Sequence, residues 1–115
     1  MQTNIIVTLQ VEALHCWPEA KDKIPQMAFL SDLHRHIFHF KVEKIVSHDD
    51  RDIEIIQFKR ELQDYFNRNY FNSQLNICNF EHRSCEMLCK DLMEAYNLVM
   101  VECLEDAENG AVVRC

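Results

Sequence analysis

Glycine occurs once in the 115 residues, at Gly110, and proline twice, at Pro18 and Pro25. That scarcity leaves no material for a flexible linker or a low-complexity tract. No internal repeat is present either, so residues 1–115 read as a single domain, long enough for one core and not for two. Basic charge is also short, with 12 Lys+Arg against 19 Asp+Glu. A surface that grips duplex nucleic acid needs the opposite balance, so that class is set aside. No apolar run approaches the roughly 18 residues that would cross a bilayer, and the N-terminus lacks a basic stretch followed by an apolar one. Neither a membrane partner nor a signal peptide is expected. None of the six cysteines forms a CxxC pair, which removes a dithiol redox motif and a four-cysteine zinc knuckle. Without a secretory signal they point to a reducing compartment, the cytoplasm, and to buried free thiols. Cys85 and Cys89 share a helix face and Cys78 and Cys103 lie in apolar surroundings, which leaves Cys16 and Cys115 for exposure.

What is present is periodicity. In residues 4–14, "NIIVTLQVEAL", Val7, Leu9, Val11 and Ala13 fall on one face and Thr8, Gln10 and Glu12 on the other, the pattern of a half-buried strand. "HCWPEAKDKIPQ" carries both prolines and reads as a loop. From Arg35 to Val46 alternation returns, with His36, Phe38, Phe40 and Val42 opposed to Ile37, His39, Lys41 and Glu43. "SHDDRD" is a polar turn. Ile55, Phe58, Leu62 and Phe66 recur at three and four, which predicts an amphipathic helix over about 53–68. "NRNYFNSQLN" breaks it. Ser84 is a candidate N-cap, and Leu88, Cys89, Leu92, Ala95 and Tyr96 stripe a second helix. "LVMVECLE" predicts a third strand, "AENG" a turn and "AVVRC" a short fourth. The order ββααββ predicts an α+β fold, a four-stranded antiparallel sheet with both helices on one face. Two uncovered edges in so small a sheet predict self-association.

Six positions, 34–39, hold three histidines. Residues two apart on a strand point the same way, so His34 and His36 aim two imidazoles at one place. His15 continues the Val7–Ala13 face. If the two strands pair antiparallel, the end of the first meets the start of the second, and His15, His34 and His36 converge while His39 points away. Three imidazoles leave one tetrahedral position open, the donor set of a ligand-binding or catalytic zinc rather than a structural one.

"VEALHCW", "LHRHIFHFKVEKI", "DIEIIQFKRELQDYF", "SCEMLCKDLMEAY" and "VMVECLEDAENGAVV" follow the order of motifs in the 6-pyruvoyltetrahydropterin synthase and 6-carboxytetrahydropterin synthase family, which the chain resembles over nearly its whole length. The resemblance implies the T-fold, trimers that close a barrel and stack as hexamers, and active sites between subunits. It implies Zn2+ on His15, His34 and His36, and a pterin-anchoring carboxylate at Glu105. The Ser84–Glu86 start and Leu88 match the family's TSExLA motif.

The chain departs from that pattern where the family moves protons. Leu30 stands at the position of the catalytic cysteine, Phe71 and Asn72 at those of an Asp–His pair, and Arg35 at that of the glycine between the zinc histidines. Leu75 and Asn76 keep the end of that Asp–His motif. Each general acid or base supplies roughly 10²–10⁴-fold in rate, so loss of both elements predicts a binding protein with no catalytic residues. Its ligand would be a pterin-, purine- or nucleotide-like heterocycle. The resemblance to short phage-encoded relatives suggests sequestration of a nucleotide signal in the host cytoplasm. The alternative is an active zinc-dependent lyase of the same type with substitute groups, drawn from His39, His48, Asp49, Asp50, Asp52 and Cys16. Cys16 would point away from His15 if the strand continued. A third reading is a structural subunit with a vestigial site.

Overall fold

A computed structural model describes residues 1–115. Strand β1, Thr3–His15, runs into a segment that holds one helical turn, Ala20–Lys23 (α1), and 3₁₀ turns over Pro25–Ser31. Strand β2, His34–Val46, then returns antiparallel to β1 from Thr3 opposite Val46 to His15 opposite His34. The alternation predicted for both strands holds. Val7, Leu9, Val11 and Ala13 are buried on the same face as Phe38, Phe40 and Val42, while Thr8, Gln10 and Glu12 are exposed.

Helix α2 spans Ile55–Tyr70. It starts two residues later than the apolar period suggests because the Glu54 carboxylate accepts hydrogen bonds from the backbone N–H groups of Ile56 and Gln57, each at 3.0 Å. Ile55 is therefore exposed at the first turn, and Ile53 packs against the core in its place. Two short strands follow, Phe71–Asn72 (β3) and Ile77–Asn79 (β4). Helix α3, Cys85–Tyr96, begins at Ser84, whose Oγ accepts from Met87 N at 3.2 Å, and ends at Asn97 in the left-handed conformation. Strands β5, Met100–Glu105, and β6, Asn109–Arg114, complete the sheet.

The sheet has six strands in the order β3-β4-β1-β2-β5-β6 and is mixed, where four antiparallel strands are expected from the sequence. The added pair comes from the asparagine-rich segment. Asn72 Oδ1 accepts from the N–H groups of Gln74 and Leu75, which turns the chain sharply and lets β3 and β4 pair. β4 then lies parallel to β1, and hydrogen bonds from Phe80 N to Leu14 O and from Cys16 N to Glu81 O carry that pairing past the end of the strand. The segment after His15, whose prolines predict a plain loop, also folds on itself, with Ala20 fully buried and Trp17 N bonded to Leu30 O.

Both helices cover one face, as expected. Phe58, Leu62 and Phe66 of α2 and Cys85, Leu88, Cys89 and Leu92 of α3 join the strand residues in one core, while Ala95 is exposed and Tyr96 half-buried. Aromatic rings fill its centre, Phe40 lying 4.6 Å from Phe66 and Phe38 4.9 Å from Phe80 between centroids. Each such ring contributes about 2–3 kcal/mol by leaving water. Cys78, Cys85, Cys89 and Cys103 are buried free thiols and Cys115 is exposed, in line with the sequence reading. The other sheet face has no helix over it and leaves Ile6, Ile37, Ile45 and Val112 exposed among polar neighbours.

The β5–β6 turn falls at Asp106 and Ala107, both at positive φ, and Glu108 N bonds to Glu105 O at 2.9 Å. Asn109 and Gly110 already belong to β6. Gly110 serves close approach, because a Cβ there would sit 1.8 Å from the Cys103 carbonyl oxygen. A methyl group forced against strand backbone should push β5 and β6 apart. Gly110→Ala is expected to lower stability by about 2 kcal/mol, read from the midpoint of urea unfolding followed by circular dichroism.

Candidate metal centre

His15, His34, His36, Phe38 and Glu105 all belong to the helix-covered face, at the end of the sheet beside the start of α3. His15 is the last residue of β1 and is 8 % exposed. His34 lies opposite it across the ladder, and His36 is the next same-face residue along β2. The three rings form a nearly equilateral triangle, with centroids 4.6, 5.3 and 5.1 Å apart and planes 70–83° to one another. One donor atom from each lies within 4.8 Å of the other two. Phe38 forms an apolar floor, its ring 5.0 Å from His15 and 5.7 Å from His36.

Each ring is held by its Nδ1. The Nδ1–H of His15 donates to the Arg83 carbonyl at 3.1 Å, that of His34 to the Asp32 carbonyl at 2.8 Å and that of His36 to Asp106 Oδ2 at 2.7 Å. A backbone carbonyl or a carboxylate only accepts, so Nδ1 must carry the proton in all three rings, and Nε2 is left as the inward ligand atom. Second-partner bonds of this kind fix the tautomer and aim of metal-binding histidines. The fold supplies them from separate places. Asp32 precedes β2, Arg83 is set beside His15 by the β4 extension, and Asp106 sits in the strained turn. The Asp106 carboxylate is held a second time by Ile37 N at 2.9 Å, and that bond first, then the one from His36, lowers its pKa.

Glu105 ends β5 opposite Phe38. Its Oε2 lies 2.9 Å from His15 Nε2 and 3.8 Å from His36 Nε2. Burial works against a charged His15, but the Glu105 hydrogen bond, the Arg83 carbonyl and the Glu105 charge outweigh it and raise the His15 pKa above its usual 6.5. The hydrogen bond from His15 in turn lowers the Glu105 pKa below its usual 4.5, against burial and with help from the charges of His36, His15 and His34. Both shifts favour a proton held between His15 Nε2 and Glu105 Oε2. The donor set and its orientation fit a divalent metal that takes the place of that proton.

A cavity of about 440 Å3 opens beside the histidines and is lined by His15, His34, Glu105, Trp17, Leu30 and Arg83 among others. Leu30 thus borders the site where the resemblance calls for a thiol. Cys16 lines the same cavity, in contrast to the expectation from strand alternation, because β1 ends at His15. Burial first, then the charges of Glu81, Asp32 and Glu19, raise its pKa, so it rests as a thiol. Phe71 and Asn72 lie in β3, outside this cavity, and Asn72 is engaged in its turn. His39 sits on the open face opposite Gln10. His48, Asp49, Asp50 and Asp52 follow the far end of β2, about 40 Å along the strand from His34. Of the substitute groups only Cys16 lies beside the histidines; His39, His48, Asp49, Asp50 and Asp52 do not reach them within one chain. Trp17, His82 and Arg83 escaped the sequence reading, since no periodicity marks a loop residue that a neighbouring strand will carry to a site.

No protein-family model and no curated protein matches this chain.

Because a proton must leave the His15–Glu105 pair, zinc affinity is expected to fall as pH drops, starting above the ordinary histidine range. Titration against a chromophoric chelator at several pH values will read this. The same assay should show Asp106→Asn weakening zinc by roughly 10–100-fold, since an amide holds His36 Nδ1–H less strongly than a carboxylate.

Proposed function

We propose that the protein holds zinc through His15, His34 and His36 and binds a planar nitrogen heterocycle of the pterin, purine or nucleotide kind beside it, without turnover. One observation carries this reading: three imidazoles with every Nδ1 engaged, Nε2 left free on each, and one ligand atom of each within 4.8 Å of the other two. A solvated histidine cluster has no need of that arrangement. The cavity supports a small-molecule partner, since about 300–1,000 Å3 is the usual size of such sites. Zinc would polarise an oxygen of the bound molecule. Proton transfer would have to come from the chain, and Leu30 borders the cavity where the resemblance calls for the thiol that performs it. Arg83 lines the same wall, its guanidinium 5.2 Å above the Tyr70 ring and hydrogen-bonded to the Phe80 carbonyl.

The same reading includes assembly as a T-fold trimer or a pair of trimers. β4 pairs with only Ala13 and Leu14, so the rest of that edge of β1 is free, as is the outer edge of β6. Joining β6 of one copy to β1 of the next would close a ring around the exposed Ile6, Ile37, Ile45 and Val112. A cytoplasmic place and sequestration of a nucleotide signal complete the proposal and rest on the resemblance alone.

Native mass spectrometry reports metal, retained small molecule and subunit number on one sample. We expect one zinc per chain, lost in His34→Ala and His36→Ala, in a three- or six-chain assembly, with no conversion of added dihydroneopterin triphosphate. Equal zinc content in both variants and the wild type would remove the site, and steady turnover would replace the binding reading with an enzyme.

A further inference from the structure

We propose that Glu105 is a fourth protein ligand of this metal, so that the site is closed by a carboxylate which an incoming molecule must displace. This rests on the metal reading above. The resemblance assigns Glu105 to the heterocycle, but the geometry turns it to the histidines. Val101 and Cys103 are buried, and Glu105 is the next same-face residue of β5, opposite Phe38 and one same-face step from His36. In a tetrahedral zinc site with bonds of about 2.0–2.2 Å, neighbouring ligand atoms lie about 3.3–3.5 Å apart. Glu105 Oε2 stands 2.9 Å from one Nε2 and 3.8 Å from another, which bracket that spacing. A shift of a few tenths of an ångström would bring it to the ligand position.

The hydrogen bonds lead to the same place. His15 Nδ1–H is committed to the Arg83 carbonyl, which leaves Nε2, facing Glu105 Oε2 at 2.9 Å, as the ring atom that can share an ion with the carboxylate. The neighbouring carboxylate cannot take this role, because Asp106 is committed to His36 Nδ1 and to Ile37 N. Glu105 also lines the cavity and its side chain is 31 % exposed, so it has room to swing away when a competing ligand arrives. The open fourth position expected for three histidines is thereby occupied from within, and access is set by competition with a tethered anion.

Cobalt(II) tests this through its visible absorption, which reports coordination directly. Wild type, Glu105→Ala and the near-isosteric Glu105→Gln are loaded with cobalt and titrated with azide. Circular dichroism confirms that all three are folded, and Glu105→Gln keeps the test open if the alanine variant is not. The expected result is a wild-type spectrum unmoved by azide at concentrations that shift both variants, with cobalt affinity at least about 10-fold weaker in the variants. An equal azide response in wild type and variants overturns the assignment of Glu105 while leaving the histidine site intact. Failure of the wild type to bind cobalt at all overturns the metal reading itself, and this proposal with it.

Discussion

The antiparallel pairing of β1 with β2 is the constraint on which the rest of the molecule depends. Side chains alternate along a strand, so register decides which residues share a face. With Val11 opposite Phe38, Val7, Leu9, Val11 and Ala13 of β1 and Phe38, Phe40 and Val42 of β2 turn toward α2 and α3, and His15, His34 and His36 fall on the same face at its end. A slip of one residue would bury Thr8, Gln10 and Glu12 and scatter the imidazoles between the two sides of the sheet. The aromatic core and the histidine triangle are therefore two products of one register, and burial of Phe38 and Phe40 enforces the geometry of a site that adds little apolar burial itself.

The parts of the structure legible in the sequence are those with a period. Both long strands, both long helices and the convergence of the three histidines follow from alternation and three-four spacing. Glu105 was open to the same count, since Val101 and Cys103 share its face, yet the resemblance alone singled it out. The pieces that escaped are aperiodic. β3 and β4 are two and three residues long and sit among asparagines, where the preference for turns masks strand pairing. Their parallel alignment with β1 is a long-range contact that no local pattern encodes. Two of the three groups that orient the histidines are backbone carbonyls, at Asp32 and Arg83, and a carbonyl is carried by every residue type.

The β5–β6 turn shows how function and backbone cost meet. Asp106 and Ala107 adopt positive φ, tolerable for aspartate and unfavourable for alanine by about 1 kcal/mol. In that conformation the Asp106 carboxylate reaches both the His36 ring and the Ile37 N–H across the sheet, while Glu105, one residue earlier, reaches His15. Adjacent carboxylates thus serve opposite ends of the imidazoles, one holding Nδ1 and the other facing Nε2. The tight turn is what allows two consecutive acidic residues to divide the work.

The spacing of the site along the chain also bears on the order in which it forms. His15 and the Arg83 carbonyl are 68 positions apart and His36 and Asp106 are 70 apart. An unfolded chain offers only the local His34–His36 pair, so a metal gains its full set of partners after both ends of the chain have docked. An ion held there would therefore not nucleate folding as it does in a zinc finger, whose ligands lie close together in sequence. It would act instead as a late staple on a core that has already assembled, binding the native state alone and stabilising it by mass action. Its removal would leave the fold standing and loosen first the hairpin that carries Glu105 and Asp106.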